Sequence, residues 1–589
     1  MADTTPFPPV IDARPTLAPF LVAALAASIL LYLIYRWALP RPIPGIPYNP
    51  SATRSIFGDI PGMLDYISKT GRIWPWITQQ TTTLQSPIVQ IFGRPFSKPW
   101  VIISDFRESQ DILLRRHKEF DRSEVTRDTF SGLIPEMHIG MKSSDERFKA
   151  HRQLLKDLMT PAFLHEVSAP QVYASVEALV KLWDLKCQLA PGHPFPAARD
   201  IYNVTLDSIF AATFGLEVRN SGTTSQVHCL LDYKTGGKQL DVPKSPDHPI
   251  DFPTAPRPAG FEAIIQLTES LEVAVKSPCP RIAHWFVRKL PFYRAASAQK
   301  EKVISESIEK GVRRFTSGDK VKRSAMDDIL HRELTAAEKE GRKPVYHSRA
   351  IYDELMGFIV GGHDTTSATM SWTLKYLAGY PQAQSTLRSR LRTAYVSAAA
   401  DHRNPTVEEI TKISVPYLDA TIEEMFRAAC IFPGVARNAT VDTTVLGHAI
   451  PKGTDVFLFQ TGPGFFSAPF PIPDSQRSES SLNARYQVGS WTPEAEDMTA
   501  FRPERWLVKD ENGNEAFDAM AGPHLAFGLG PRACFGRRLA YLQMRIIVVM
   551  IVWNFELKPT PEAWSSWEAV DKLTTQPRQC FVKLERLEV

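Results

Sequence analysis

Apolar residues recur along this chain mostly at every third or fourth position, and only briefly at every second. The run FKAHRQLLKDLM from Phe148, and a longer one after Ser348, carry the spacing that gathers apolar side chains on one face of an α-helix. Runs with strand character, such as WVIIS from Trp100 and TDVFLF from Thr454, are short and far apart. The pattern predicts a mainly α protein with small peripheral β-sheets. Two stretches interrupt it: Asn220 to Pro258, dense in Gly, Pro, Ser and Thr, and Ser467 to Thr499, which contains PFPIPDSQRSESS. Both read as long surface segments. No internal repeat and no Gly/Ser linker divides the chain after Pro50, so residues 51–589 are expected to form one large domain.

Near the start the periodicity gives way to an unbroken apolar run. Leu17 to Tyr35, LAPFLVAALAASILLYLIY, holds nineteen residues without a charge, close to the roughly 20 that cross a bilayer as a helix. The run outlasts the apolar region of a cleaved signal peptide, about 7–15 residues, and no A-x-A cleavage site precedes Arg36. Residues 17–35 therefore read as a transmembrane anchor, 1–16 as a short lumenal segment and the Pro-rich 36–50 as a stiff connector. Arg36 and Arg41 follow the span while Asp3, Asp12 and Arg14 precede it, a bias that places the body in the cytosol.

Composition then removes some classes of function. The net charge is only +4, and Lys and Arg are mixed with acids along the chain, so nucleic acid is not an expected partner. The six cysteines, Cys187, Cys229, Cys279, Cys430, Cys534 and Cys580, are scattered with no C-x-x-C pair. That spacing suits neither a disulfide framework nor a structural zinc site, and fits a reducing compartment.

One of these cysteines stands in a different setting. In FGLGPRACFGRRLAYLQMRIIVVM, Phe527 to Met550, a glycine-rich turn precedes Cys534 and an amphipathic helix follows it. Free N–H groups and the positive end of the helix dipole favour a thiolate there, and Arg532 is expected to add positive charge. Gly528, Gly530 and Gly536 would let the backbone approach a flat ligand. A lone thiolate suits an iron whose equatorial ligands come from a macrocycle. The pattern F-x-x-G-x-R-x-C-x-G, filled by Phe527, Gly530, Arg532, Cys534 and Gly536, resembles the haem-binding loop of the cytochrome P450 family. The resemblance implies Cys534 as the iron ligand and haem b, iron protoporphyrin IX, as the cofactor.

The other parts that the resemblance implies occur in order. Between Ser348 and Gly379-Tyr380-Pro381 lies a candidate helix of about 30 residues, or about 45 Å. Its centre reads Gly361-Gly362-His363-Asp364-Thr365-Thr366. Each mid-helix glycine costs about 1 kcal/mol, so the helix is expected to need the space they leave. The stretch resembles the family's oxygen-binding groove, where a helical turn opens and an acid-alcohol pair, here Asp364 and Thr365, relays protons. A purely structural part for that pair is the alternative. His363 is read as a packing or hydrogen-bonding residue.

Glu424 and Arg427 lie at i and i+3 on one helix face. With Arg505 of Phe501-Arg502-Pro503-Glu504-Arg505-Trp506 they resemble the family's structural ion network, whose task is geometry rather than chemistry. Arg152, Arg437 and Arg532 match the family's positions for binding the two haem propionates. Phe148 stands where the family commonly has tryptophan, which removes an indole N–H donor, and His151 is a candidate to compensate.

The resemblance covers nearly the whole chain after the anchor, and the body, 51–589, is identified as a haem-thiolate monooxygenase domain. It implies insertion of one atom of dioxygen into an apolar small molecule. Electrons would come from a separate NADPH-cytochrome P450 reductase, with cytochrome b5 as a further donor. The N-terminal organisation is similar to that of microsomal members, especially fungal ones of secondary metabolism, and implies the endoplasmic reticulum membrane. An oxygen-independent haem-thiolate isomerase or dehydratase, and a haem-binding sensor or carrier without turnover, are the alternative readings.

Overall fold

The computed structural model describes residues 17–215, 221–237, 240–319, 321–484 and 497–588. Helix α1 (Leu17–Ala38) comes first, and its span Phe20–Ala38 is long and apolar enough to cross a membrane. It ends at Ala38 rather than at Tyr35, because a single charge at Arg36 does not stop a helix whereas Pro40 does. The helices that build the site are α2 (Phe106–Leu114), α3 (Glu146–Leu154), α4 (Ala169–Leu189), α5 (Ala198–Phe214), α6 (Gly222–Thr235), α7 (Arg349–Gly379), α8 (Pro416–Ala429) and α9 (Arg537–Asn554).

The longest of these, α7, starts where Ser348 accepts a hydrogen bond from the Ile351 N–H and stops at Tyr380, which leaves the helical region at φ −123°, ψ 70° before Pro381. Leu355, Ile359, Met370, Leu374 and Leu377 of α7 are buried in one core with Trp183 of α4 and with Ile547, Ile551 and Trp553 of α9. Each such side chain stabilises the fold by about 1.5–3 kcal/mol through its burial. α7 therefore crosses the interior, with α5 packed along it and α9 behind it.

The expected strands form, at Trp100 and after Thr454, within one five-stranded sheet. Its strands are β1 (Ile88–Ile91), β2 (Trp100–Ile103), β3 (Phe120–Arg122), β4 (Gly434–Ala439) and β5 (Asp455–Phe459), in spatial order β1-β2-β5-β4-β3. Only β2 and β5 run parallel. A separate hairpin, β6 (Ala569–Asp571) with β7 (Thr575–Pro577), folds onto α7, where Trp372 Nε1 donates to the Thr575 carbonyl at 3.1 Å.

One expectation fails here, and a second is refined. The stretch read as a surface segment from Asn220, a residue outside those described, contains the 14-residue helix α6. The Asp207 carboxylate accepts from the Gly222 and Thr223 N–H groups at 2.8 and 2.9 Å, and Val227 and Leu230 are buried. Ser221 also caps the helix locally by accepting from the Thr224 N–H at 2.9 Å, so two caps outweigh the local Gly and Thr content. The second segment, of which 485–496 lie outside the described residues, is pinned rather than free over its first half. Arg477 pairs with Asp105 at 2.9 Å, and the Ser478 and Ser480 hydroxyls donate to Asp111 of α2 at 2.6 and 2.8 Å.

Candidate active site

Cys534 lies between the 3-10 turn Gly530–Arg532 and the start of α9. Its N–H donates to the Phe527 carbonyl at 2.7 Å, which closes the loop. Desolvation by the surrounding chain pushes the thiol pKa up, although the residue itself is exposed, opposed by the N–H groups of Gly536 and Arg537 and by the Arg537 guanidinium. The cation beside the sulfur is thus Arg537 and not Arg532, whose Nη2 turns away to the Met141 carbonyl at 2.8 Å. The glycines also divide their tasks differently from expectation. A Cβ on Gly530 would stand 2.1 Å from the Leu113 carbonyl oxygen, so that glycine, at φ +71°, lets the loop press on α2 rather than on a ligand. A Cβ on Gly536 would come within 4.0 Å of the Cys534 Sγ. Phe527 packs edge-on against Phe426, 4.7 Å between ring centres, beneath the loop.

The arginines expected to meet propionates converge, together with one that sequence reasoning missed. Arg122 of β3 is the register partner of Arg437 of β4, so their side chains share one sheet face directly opposite each other. Like charges so placed repel. Burial first, and then the neighbouring arginines, lower the pKa values of Arg122, well below the usual range, and of Arg437, to about 10. Burial likewise brings Arg532 to about 10, while Asp121 acts against it. None of the three forms an ion pair among the described residues, and Arg122 Nε and Arg532 Nε and Nη1 are buried without a hydrogen-bond partner. Only the strand register places Arg122 here; no local motif marks it.

Arg152 extends this cluster, with its guanidinium 4.9 Å from the Phe535 ring centre, and Arg532 stacks over Phe148 at 4.1 Å. The phenylalanine in place of tryptophan thus serves as a face for an arginine. His151 is buried, and its Nδ1 lies 2.7 Å from Glu354 Oε1. The other oxygen of Glu354, on α7, meets His138 Nδ1 at 2.8 Å. Burial would raise the Glu354 pKa, but the two imidazoles hold it down at about 2. Neither His138 nor Glu354 was singled out from the sequence.

On α7 the helix runs through Gly361–Thr366 without the expected break. The two glycines separate: a Cβ on Gly361 would meet no protein atom within 4 Å, whereas one on Gly362 would strike Ile209 of α5 at 2.4 Å. Gly361 leaves room beside the helix, and Gly362 lets two helices close. The Thr365 hydroxyl donates to the Gly361 carbonyl at 2.6 Å. Asp364 is buried, which raises its pKa to about 6 against a hydrogen bond from Thr574. His363 is buried edge-on against Tyr202, 4.8 Å between ring centres, in the packing part expected of it.

Away from the site, Glu424 pairs with Arg427 at 2.7 Å and with Arg505 at 3.2 Å, all three buried. Trp506 Nε1 also donates to Glu424, at 2.9 Å, a partner the sequence did not suggest.

This arrangement fits a haem. It offers one cysteine sulfur backed by amides, no cluster of three or more His, Cys, Asp or Glu that would hold a bare metal ion among the described residues, and buried guanidinium donors left over for a dianion. Sequence comparison agrees. The family profile for Cytochrome P450 matches residues 77–475 and 496–584. "Cytochrome P450 monooxygenase TRI13" of Fusarium sporotrichioides is 37% identical over 95% of this chain and 98% of its own length. "Cytochrome P450 monooxygenase xilC" of Penicillium crustosum is 36% identical over 95% of this chain and 94% of its own. The chain belongs to the cytochrome P450 family. It is an oxidoreductase, a haem-iron monooxygenase by family.

Proposed function

We propose that this chain is a membrane-anchored monooxygenase of secondary metabolism that binds haem b through Cys534 and inserts one oxygen atom into an apolar small molecule. Electrons come from a separate NADPH-cytochrome P450 reductase, with cytochrome b5 as a second donor. The single observation that carries the reading is the pairing of a lone cysteine at a helix start with a set of buried arginines that have no anion of their own. The haem supplies dioxygen binding and electron storage. The thiolate of Cys534 is held by the Gly536 and Arg537 N–H groups, and Arg122, Arg437, Arg532 and Arg152 neutralise and orient the propionates. His151, fixed by Glu354, keeps the helix bearing Arg152 in place.

On α7, Gly361 leaves open space that would take dioxygen and the edge of the substrate. Asp364 and Thr365 hold the proton path, the acid as a proton store and the hydroxyl as the last donor. Residues 17–38 anchor the chain in the endoplasmic reticulum membrane, residues 39–50 form the connector and the rest is one catalytic domain in the cytosol.

The test is to express the chain with a reductase in a host lacking it and to compare metabolites, oxygen uptake and NADPH use. New oxygenated products with labelled oxygen from dioxygen are expected. Products formed without oxygen uptake would establish an isomerase or dehydratase instead. For Thr365→Ala, general acid-base help worth about 10²–10⁴-fold is at stake: peroxide should rise and product fall, with haem content unchanged.

A further inference from the structure

The carboxylate of Asp364 faces a structure that has no part in the reading above. Its Oδ2 accepts a hydrogen bond from the Thr574 hydroxyl at 2.9 Å, and its Oδ1 lies 3.4 Å from the amide nitrogen of Gln576. That nitrogen is also 3.4 Å from the Thr574 hydroxyl, so the three side chains form a closed triangle. Asp364 and Thr574 are buried and Gln576 is half-buried, so Gln576 is the outermost member. Thr574 belongs to the turn between β6 and β7, and Gln576 to β7 itself. The turn is fixed rather than loose: Lys572 N donates to the Thr574 carbonyl at 3.1 Å, Thr575 Oγ donates to Asp571 at 3.0 Å, and Trp372 ties the hairpin to α7.

We propose that Thr574 and Gln576 are positioning residues for proton delivery, which hold the Asp364 carboxyl toward the C-terminal hairpin and set its protonation from there. This rests on the reading of Asp364 and Thr365 as the proton-relay pair. A carboxylate with a donor on each oxygen is kept in one rotamer and is favoured over the neutral acid. The charged and titratable groups around it are Lys572 on the hairpin, Tyr202 on α5, His363 on α7 and Glu269 from the neighbouring Ala259–Glu269 helix. Lys572 and the Thr574 hydroxyl favour the ionised form; burial and Glu269 oppose it. Deleting the hydroxyl removes a stabiliser of the carboxylate, so the group should take up its proton at higher pH. A hydrogen bond of ordinary strength corresponds to about half to one pH unit.

The experiment uses the full-length haem-loaded protein with a microsomal NADPH reductase and no organic substrate. The fraction of oxidised NADPH recovered as hydrogen peroxide, the remainder going to water, is followed from pH 5.5 to 8 for the wild type, Thr574→Val, Thr574→Ser, Gln576→Leu and Asp364→Asn. The C=O stretch of the protonated Asp364 carboxyl is titrated by difference infrared spectroscopy in parallel, a readout independent of turnover. Expected are an alkaline shift of about half to one unit in both curves for Thr574→Val, a smaller one for Gln576→Leu, recovery in Thr574→Ser, and loss of the inflection in Asp364→Asn. If Thr574→Val does not load haem, the Thr574→Ser and Gln576→Leu curves decide. Unshifted curves in the hairpin variants, with the inflection lost in Asp364→Asn, would overturn the hairpin's part and leave the relay standing. An inflection that survives Asp364→Asn would remove the relay reading and this proposal with it.

Discussion

Two groups of arginines with buried guanidinium nitrogens are treated in opposite ways in this molecule. Arg427 and Arg505 share the carboxylate of Glu424, which also receives Trp506 Nε1 and the Arg502 N–H at 2.9 Å each. Arg122, Arg437 and Arg532 crowd each other and make no ion pair among the described residues, and Arg122 and Arg532 keep buried N–H groups without partners. Taking a charge out of water costs several kcal/mol unless a partner repays it. The first group is repaid inside the chain, and is architecture. The second is left for something from outside, and two of its members, Arg122 and Arg437, stand directly opposite each other across a strand pair. A buried charge with a partner holds a fold; a buried charge without one announces a ligand.

The sharpest way to break this comparison is Glu424→Gln, which would strand two buried guanidinium groups. A loss of about 3–5 kcal/mol is expected, seen as insoluble protein or a large fall in the urea midpoint. Replacing Glu424, Arg427 and Arg505 together by apolar residues should recover part of it. Next in size is Arg532→Leu. In the haem-free protein it should leave thermal stability unchanged or raise it, since a repelling charge is gone. The loaded protein should release haem to an acceptor apoprotein roughly 10–100-fold faster, the equivalent of one charge-assisted hydrogen bond of about 1.5–3 kcal/mol. A haem-free Arg532→Leu as destabilised as Glu424→Gln would erase the distinction.

Glu354 tests the boundary between the two groups, because its partner His151 adjoins Arg152 yet the carboxylate is fully paired. Its folded pKa, about 2, is below the ordinary carboxyl value of 4.5. The stability it contributes is therefore present above about pH 4.5 and lost as pH falls toward 2. Glu354→Gln should flatten the acid limb of the stability curve in that window by about 1–3 kcal/mol, with haem content reduced less than in Arg532→Leu. The smallest effect is expected from deleting residues 1–38: haem binding stays and sedimentation with membranes falls. A truncated protein that is soluble and folded but unable to bind haem would contradict the modular organisation.

Much of the fold was legible because its signals are local. The span of α7 follows from a cap at Ser348 and a stop at Pro381, and the cysteine loop from ten contiguous residues. The helix α6 was less legible: Ser221 caps it locally, but the Gly222 amide at its start is held by Asp207 of α5, 15 residues earlier. The site divides the same way. Cys534, Arg437 and Arg532 announce themselves in motifs, but Arg122 depends on strand register, and the link from Glu354 to His138 and His151 spans about 200 residues. Glycines mislead for a related reason. Gly361 and Gly362 look alike in the sequence, and only the structure shows that one faces open space and the other Ile209 of a neighbouring helix.

The central claim is that Cys534 supplies the fifth ligand to a haem iron, and the most direct measurement is the absorption spectrum of the reduced protein with carbon monoxide. The wild type should show the strongly red-shifted Soret band of a haem-thiolate. Cys534→Ala should lose that band, because N–H groups are aimed at the Cys534 sulfur, whereas Cys279, which also stands at a helix start, makes no side-chain cap hydrogen bond there. Retention of the band in Cys534→Ala, or its absence from a haem-loaded wild type, would contradict the account.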